Sequence, residues 1–269
     1  MKILSCAVLG AFTSMLMASM PSTTAPSTTM SEPTTAPAAG IKNIVLVHGT
    51  WADGSSWAKV IPLLTAKGYH VTAVQNPLSS LADDVAATKR AIALQDGPVL
   101  LVGHSWGGVV ITEAGTDPQV AGLVYVAASA PDAGQSFLDV AQTAAAAPGN
   151  DQLQPDKFGY VHLSPKGVME DFAQDLSKTE QQVLLATQGL QPFAAFKEKV
   201  TVPAWKTKPN WYIVAANDRM INPDLERTLA KKMNATTTTL PTSHAVMLAQ
   251  PEKVAAVIME AASKGVAKQ

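Results

Sequence analysis

The sequence predicts an α/β protein with a mostly parallel central sheet, helices on both faces and an inserted helical cap. Apolar strand-like runs alternate with helix-like stretches in the first half of the chain, a pattern typical of parallel sheets with helical crossovers. The alternation stops over about residues 131–208 and then resumes, which predicts an insertion. A Gly-x-Ser-x-Gly turn separates the third apolar run from the helix that follows it.

The first half of the domain is predicted to contain four strands joined by helices. Each predicted strand is a short apolar run, and the first two helices begin near a proline or capping residues. The predicted strands are 42–47, 69–74, 99–102 and 120–127, and the predicted helices are 57–67, 78–95 and 109–114.

The second half resumes the alternation after the insertion. Strands are predicted at 210–216 and 236–240, helices at 223–233 and 251–263, and cap helices near 136–147 and 179–187. The cap is also rich in aromatic residues: Phe137, Phe158, Tyr160, Phe172, Phe193, Phe196 and Trp205. We expect it to cover the carboxyl ends of the strands, although an insertion without substrate contacts would fit the same pattern.

Composition limits the function classes. The 269 residues are 47% hydrophobic and 15% charged, with a formal net charge of -1, so no basic surface for nucleic acid is expected. Neither the composition nor the motifs call for a metal or another cofactor. The sequence leaves a homodimer open.

The N-terminus resembles a secretory signal. Lys2 precedes a mostly apolar stretch, and residues 18–20 are small or apolar, so we predict a signal peptide over 1–20 and a secreted or periplasmic protein. An uncleaved anchor is the alternative, and no stable membrane insertion is expected after cleavage. Residues 21–40 are rich in Pro, Ser, Thr and Ala and predict a disordered linker before a domain over 41–269. The single cysteine, Cys6, would leave with the signal, which excludes disulfides in the mature chain.

Ser105 is the candidate nucleophile. It lies in Gly103-His104-Ser105-Trp106-Gly107, between a buried strand and a helix. This context is that of the nucleophile elbow, in which a strained turn lifts the serine hydroxyl away from the sheet. The glycines allow the strand and the helix to approach closely.

A serine nucleophile needs a base and an acid that orients the base. Among the five histidines, His244 alone directly follows a late predicted strand, at the edge where sites of open α/β sheets lie. Asp218 follows the preceding strand and stands between serine and histidine in the chain, which is the expected order. Asp132, after the fourth strand, is the rival acid. Asp53, Asp83 and Asp84 precede the serine and are interpreted as turn and helix-start residues.

Two N–H groups are needed to bind the oxyanion of a tetrahedral intermediate. One is expected from Trp106, directly after the nucleophile, and the other from Thr50 in the loop after the first strand, with Trp51 as the alternative. Gly49, Trp51 and Met247 are the predicted substrate contacts.

Three stretches together resemble the α/β-hydrolase superfamily, and within it the small group of plant methyl-ester esterases, hydroxynitrile lyases and bacterial relatives. They are Val45–Trp51, Gly103–Gly108, and Asn217-Asp218 together with Ser243-His244. The resemblance implies a Ser105-His244-Asp218 triad with an oxyanion hole at Thr50 and Trp106. Trp106 is larger than the residue often found after the nucleophile in this group, which leaves the size of the acyl pocket open.

The resemblance also bears on the reaction. Lyases of the group typically carry threonine after the first-strand histidine and lysine after the catalytic histidine, where this chain has Gly49 and Ala245. We therefore expect a cofactor-free serine hydrolase acting on small, fairly apolar carboxylic esters. The alternatives are a lyase or cofactor-free oxygenase on the same fold, and a binding protein without catalysis.

Overall fold

The computed structural model describes residues 40–265. The predicted signal peptide over 1–20 and nearly all of the linker over 21–40 lie outside this range, as do the last four residues. No helix within 40–265 is both long and apolar enough to cross a membrane.

The described chain alternates strands and helices before and after a long insert. The strands are β1 Asn43–Val47, β2 His70–Ala73, β3 Val99–His104, β4 Val120–Val126, β5 Leu153–Pro155, β6 Tyr160–Leu163, β7 Gln191–Pro192, β8 Asn210–Ala215 and β9 Thr236–Leu240. The helices are α1 Ile61–Thr65, α2 Leu81–Ala93, α3 Trp106–Ala114, α4 Phe137–Ala141, α5 Pro165–Gly167, α6 Lys178–Thr187, α7 Pro223–Lys232, α8 Val246–Ala249 and α9 Pro251–Lys264. A π-helical turn, Val168–Phe172, follows α5 directly.

Six strands form the central sheet in the order β2-β1-β3-β4-β8-β9, and every neighbouring pair is parallel. The predicted fold class is confirmed. The inner strands β1 and β3 are buried along their whole length, which explains their unbroken apolar runs. The edge strand β9 is mostly exposed and consists largely of threonine, a β-branched residue that favours strands while remaining polar.

Helices cover both faces of the sheet. Residues of β1 alternate between two apolar clusters: Val45 and Val47 face one that includes α2, α3 and α7, and Ile44 and Leu46 face one that includes α1, α8 and α9. Because all six strands are parallel, their carboxyl ends meet at one edge of the sheet. β2 lies on one side of β1 and β3 lies on the other, so the strand order reverses at β1. In sheets of this kind, ligands bind in the crevice at such a reversal.

The insert between β4 and β8 contains more than helices. Its three strands β5, β6 and β7 form a small antiparallel sheet, which the sequence analysis did not predict. These strands are two to four residues long, too short for an apolar periodicity to develop. The predicted helix over 136–147 is also shorter than expected, since α4 ends at Ala141.

Candidate active site

Ser105 occupies the sharp turn between β3 and α3. Its backbone lies at φ 54° and ψ -119°, a conformation that L-residues rarely adopt and that marks stored strain. Gly103 and Gly107 make the turn possible: a Cβ on Gly103 would lie 2.5 Å from the carbonyl oxygen of Gly107, and one on Gly107 would collide with the carbonyl of Val47. Ser105 also lines the wall of a cavity at the carboxyl edge of the sheet.

Asp218 and His244 form a buried pair at the same edge. Nδ1–H of His244 donates to Oδ2 of Asp218 at 2.5 Å, and both side chains are almost fully buried. The other carboxylate oxygen, Oδ1, accepts the backbone N–H groups of Met220 and Ile221 at 2.6 and 2.9 Å. Three donors thus fix the carboxylate, and the bond at Nδ1 leaves Nε2 of His244 as the unprotonated nitrogen.

Nε2 of His244 has no hydrogen-bond partner within residues 40–265, and Ser105 Oγ makes no bond to it there. The segments that carry the two residues are nevertheless in contact: Nε2–H of His104, the residue before Ser105, donates to the His244 carbonyl at 2.9 Å. Bonds between nucleophile and base often form only when substrate is bound. The structure therefore brings the predicted serine, base and acid to one edge without closing the serine–histidine bond.

His48 and His104 hold the segments on either side of Ser105 in place. Nε2 of His48 accepts the N–H of Asn76, and its Nδ1–H donates to the Gly49 carbonyl. Burial lowers the pKa of His48, and burial followed by the nearby His244 lowers the pKa of His104 well below its ordinary value. Both rings are thus neutral supports for the two loops beside Ser105.

The loop after β1 lies directly against Ser105. A Cβ on Gly49 would approach the Ser105 Cβ to 2.6 Å and the His104 carbonyl oxygen to 2.9 Å. Glycine is therefore required here by close approach. Within the described chain, the backbone N–H groups of Thr50 and Trp106 have no protein acceptor, so both are free to bind an oxyanion. The Thr50 hydroxyl is used elsewhere, donating to Oε1 of the buried Gln191 at 2.5 Å.

The large Trp106 side chain does not line the cavity. Its indole is buried beneath it, where Nε1–H donates to Oδ2 of Asp84 at 2.7 Å. Asp84 also accepts the backbone N–H of Leu78. Burial raises the pKa of Asp84 to about 6. The interpretation of Asp84 as a helix-start residue is thus incomplete, because its carboxylate anchors the residue that follows the nucleophile.

Asp132, the rival acid, lies away from His244. It pairs with Lys206 at 2.5 Å and Lys232 at 3.3 Å, and the bond from Lys206 lowers the pKa of its carboxyl group. These contacts tie the start of the insert to α7. The imidazole of His244 is bonded to Asp218 and not to Asp132.

The cavity beside Ser105 has a volume of about 230 Å³ and a mainly apolar wall. Of the three predicted substrate contacts, Trp51 lines the cavity, whereas Gly49 and Met247 are not among its lining residues. Met247 is buried in the cluster around α8 and α9 because α8 turns its side chain toward the sheet. Insert residues supply much of the wall, among them Phe137, Leu138, Ala141, Ala147, Phe193 and Phe196.

Two features of the site were not predicted. Glu226 on α7 is fully buried beside Asp218, and its Oε2 accepts the backbone N–H of Ala215 at 3.0 Å. Burial, and then the negative Asp218, raise its pKa well above the ordinary value. Ser129 lines the cavity and its N–H donates to the Ser105 carbonyl. To predict from the sequence that Glu226 and Ser129 belong to the site, one would have to know which strands are neighbours in the sheet.

The donor set offers no obvious metal site. Among residues 40–265, no group of three or more His, Cys, Asp or Glu side chains is arranged to hold a metal ion.

The fold is that of a known family. The family model described as "Alpha/beta hydrolase family" matches residues 44–257. The chain belongs to the alpha/beta hydrolase family, which confirms the resemblance seen in its motifs.

Several relatives indicate the subgroup. Salicylic acid-binding protein 2 of Nicotiana tabacum is 27% identical over 259 residues, covering 83% of this chain and 98% of that protein. A pyrethroid hydrolase of Sphingobium wenxiniae is 26% identical over 251 residues, covering 82% and 87%. The crystal structure of polyneuridine aldehyde esterase shares the fold, with a TM-score of 0.70, 20% identity and coverage of 82% and 98%. The chain is thus a carboxylesterase-type hydrolase.

Proposed function

We propose that this hydrolase cleaves carboxylic esters of small, uncharged and largely apolar molecules through an acyl-enzyme on Ser105. One observation supports this above all others. A serine in a strained turn lines an apolar cavity, at the same sheet edge as a buried histidine. One ring nitrogen of this histidine has no partner in the described part of the chain, and the other is bonded to a fixed carboxylate.

In the proposed reaction, Nε2 of His244 takes the proton of Ser105 Oγ as that oxygen attacks the ester carbonyl. The Nδ1–H bond to Asp218 holds the ring and stabilises its positive charge. The N–H groups of Thr50 and Trp106 bind the oxyanion. His244 then protonates the leaving alcohol, and water repeats the two steps on the acyl-enzyme, returning Ser105 and releasing the acid.

The cavity supports the substrate class. Its wall is made of aromatic, aliphatic and alanine side chains, and its polar members are Ser105, Ser129, Asn150 and Asn222. Among residues 40–265, no ionised side chain lines the cavity, so a charged substrate would lose hydration without gaining a partner there. The acyl group is therefore expected to be neutral and small enough for about 230 Å³.

A lyase is less well supported. The threonine typical of the lyases would stand at Gly49, where any Cβ would collide with Ser105 and the His104 carbonyl. The lysine would stand at Ala245, which is buried beneath the insert. We therefore expect no cyanide release from mandelonitrile above the buffer blank.

Labelling tests the proposal. The purified protein should react with a fluorophosphonate probe at Ser105, as located by mass spectrometry, and should hydrolyse p-nitrophenyl acetate and butyrate. Ser105→Ala should remove the label and lower the rate by roughly 10⁴ to 10⁶, with an unchanged circular dichroism spectrum. A folded wild-type protein that binds apolar ligands but neither labels nor hydrolyses any ester would show a binding protein instead.

We also infer from residues 1–20 that the hydrolase acts outside the cytoplasm. N-terminal sequencing of the mature protein should find the first twenty or so residues missing from an extracellular or periplasmic fraction. Retention of Met1 in the cytoplasm would overturn this.

A further inference from the structure

One segment of the insert contacts both loops that carry the acid and the base. Its residues 171–175, here called the brace, begin within the π-helical turn and extend three residues past its end. Arg219 Nε donates to Oδ1 of Asp171 and Gln174 Nε2 donates to the Asn217 carbonyl, both at 2.7 Å. The two partners, Asn217 and Arg219, stand on either side of Asp218.

The base loop is held in the same way. The N–H of Ser243 donates to Oδ2 of Asp175 at 2.7 Å, and the N–H of Ala245 donates to the Phe172 carbonyl at 3.2 Å. Ser243 and Ala245 flank His244. The Phe172 ring also meets the His244 imidazole edge to face, with centroids 5.0 Å apart.

The brace is itself supported from behind. Nε2 of Gln181, on α6, donates to the carbonyls of Ala173 and Met169 at 2.9 and 3.3 Å. Phe172 and Ala173 share a third apolar cluster with Met220 and Ala245, one from each catalytic loop. The insert therefore presents a packed surface to both loops, and π-helical turns are frequent at functional sites.

Resting on the proposed function, we propose that the brace positions Asp218 and His244 for catalysis, so that the insert sets the turnover rate as well as covering the substrate. The two residues come from separate loops after β8 and β9, and a base must be held close to its productive place for proton transfer. The brace bonds to the residues on both sides of Asp218 and on both sides of His244, and it thereby fixes the two loops relative to one another. Asp171 to Asp175 are thus positioning residues, since none of them needs to touch the substrate.

The insert provides a matched control. Glu198 also uses a carboxylate oxygen to accept a backbone N–H of the body, that of Leu81 at 3.0 Å. Leu81 is the first residue of α2, and this helix carries none of the proposed catalytic residues. Asp175→Ala and Glu198→Ala therefore each remove one carboxylate bond between insert and body. Asp175 is exposed, so its replacement should not prevent folding.

The test is steady-state hydrolysis of p-nitrophenyl acetate, together with thermal unfolding. Asp175→Ala should lower kcat about tenfold, the effect of losing one charge-assisted hydrogen bond, with KM nearly unchanged. Asp175→Asn keeps an oxygen acceptor and should recover much of the loss. Gln174→Ala should lower kcat independently through the Asp218 loop, and Glu198→Ala should leave kcat within about twofold.

Each outcome separates the hypotheses. If wild type hydrolyses the ester and labels at Ser105, but Asp175→Ala and Gln174→Ala keep wild-type kcat, or change it no more than Glu198→Ala does, the brace has no positioning role. If wild type neither labels nor hydrolyses, the proposed function fails and this inference fails with it.

Discussion

The sheet body and the insert are built in different ways. The inner strands of the body are runs of five to seven largely buried residues, joined by parallel ladders and packed between two layers of helices. The insert is made of short strands and helices, and side-chain bonds connect it to the body, including Thr50 to Gln191, Glu198 to Leu81 and Lys59 to Glu180. One region is held by burial and the other also depends on individual polar contacts.

This difference corresponds to a division of labour in the proposed mechanism. The body supplies the nucleophile, base, acid and oxyanion donors, each directly after a strand of the one sheet. The insert supplies much of the cavity wall and braces two of the loops. Changes in the body should therefore affect the chemical step most, whereas changes in the insert wall should affect which ester is accepted.

The largest contrast is between two aspartates, one in the body and one where the insert begins. Asp218→Asn should lower kcat by about 10⁴, because an amide at this position favours the wrong tautomer of His244. Asp132→Asn removes a partly exposed pairing with Lys206 and Lys232, so kcat should stay within about twofold and stability should fall by about 1 kcal/mol or less.

Hydrolysis of p-nitrophenyl butyrate and denaturant unfolding measure the two effects. The opposite ranking of the two variants would move the acid to the end of β4 and remove the distinction between body and insert.

An intermediate effect is expected in the cavity wall. Ala141 on α4 lines the cavity, so Ala141→Leu should narrow it. We expect kcat/KM for p-nitrophenyl butyrate to fall roughly 10- to 100-fold, as for other small changes of pocket volume, while the acetate ester is affected much less.

Ala133→Leu is the control, since Ala133 is exposed on the same insert and does not line the cavity. Equal losses for both esters in Ala141→Leu, or a similar loss in Ala133→Leu, would mean that this wall does not select the acyl group.

The body was largely predictable from the sequence and the insert was not. The strands β1, β4 and β8 were predicted within one residue at each end, because buried strands show as local apolar runs, and β9 was predicted at its observed bounds from its run of β-branched threonines. Ser105, Asp218 and His244 were located because each directly follows such a strand. The geometry now places all three at one edge, and their roles stay a prediction.

What could not be predicted depends on contacts between distant residues. The bond from Trp106 to Asp84 spans 22 positions, and that from Ser243 to Asp175 spans 68. Neither follows a periodic pattern, because each depends on how the insert or a crossover helix docks on the sheet. That Met247 lies in the core and not in the cavity wall could not be predicted for the same reason, since it depends on how the short helix α8 turns.

The smallest effect on activity concerns Glu226, a buried acid inside the body. The titratable groups around it are Asp218, Tyr212 and the nearby Arg227. Its raised pKa means that the folded protein keeps the carboxyl protonated at pH values where the unfolded chain has released the proton. The stability that depends on this proton is therefore fully present below about pH 4.5, the ordinary value, and is lost as pH rises through the folded pKa.

Glu226→Gln should remove this pH dependence with little effect on turnover. The amide oxygen can still accept the Ala215 N–H, and the amide, like the protonated carboxyl group, places no charge beside Asp218. We expect kcat at pH 7 within about threefold of wild type.

The unfolding free energy of the variant should rise relative to wild type by about 1.4 kcal/mol per pH unit above 4.5, until the folded pKa is passed. Urea unfolding at pH 5, 7 and 9 measures this difference. A difference that is constant over that range would show that Glu226 is ionised in the fold. A large loss of kcat would instead place Glu226 in the catalytic machinery and extend the body's contribution beyond the strand ends.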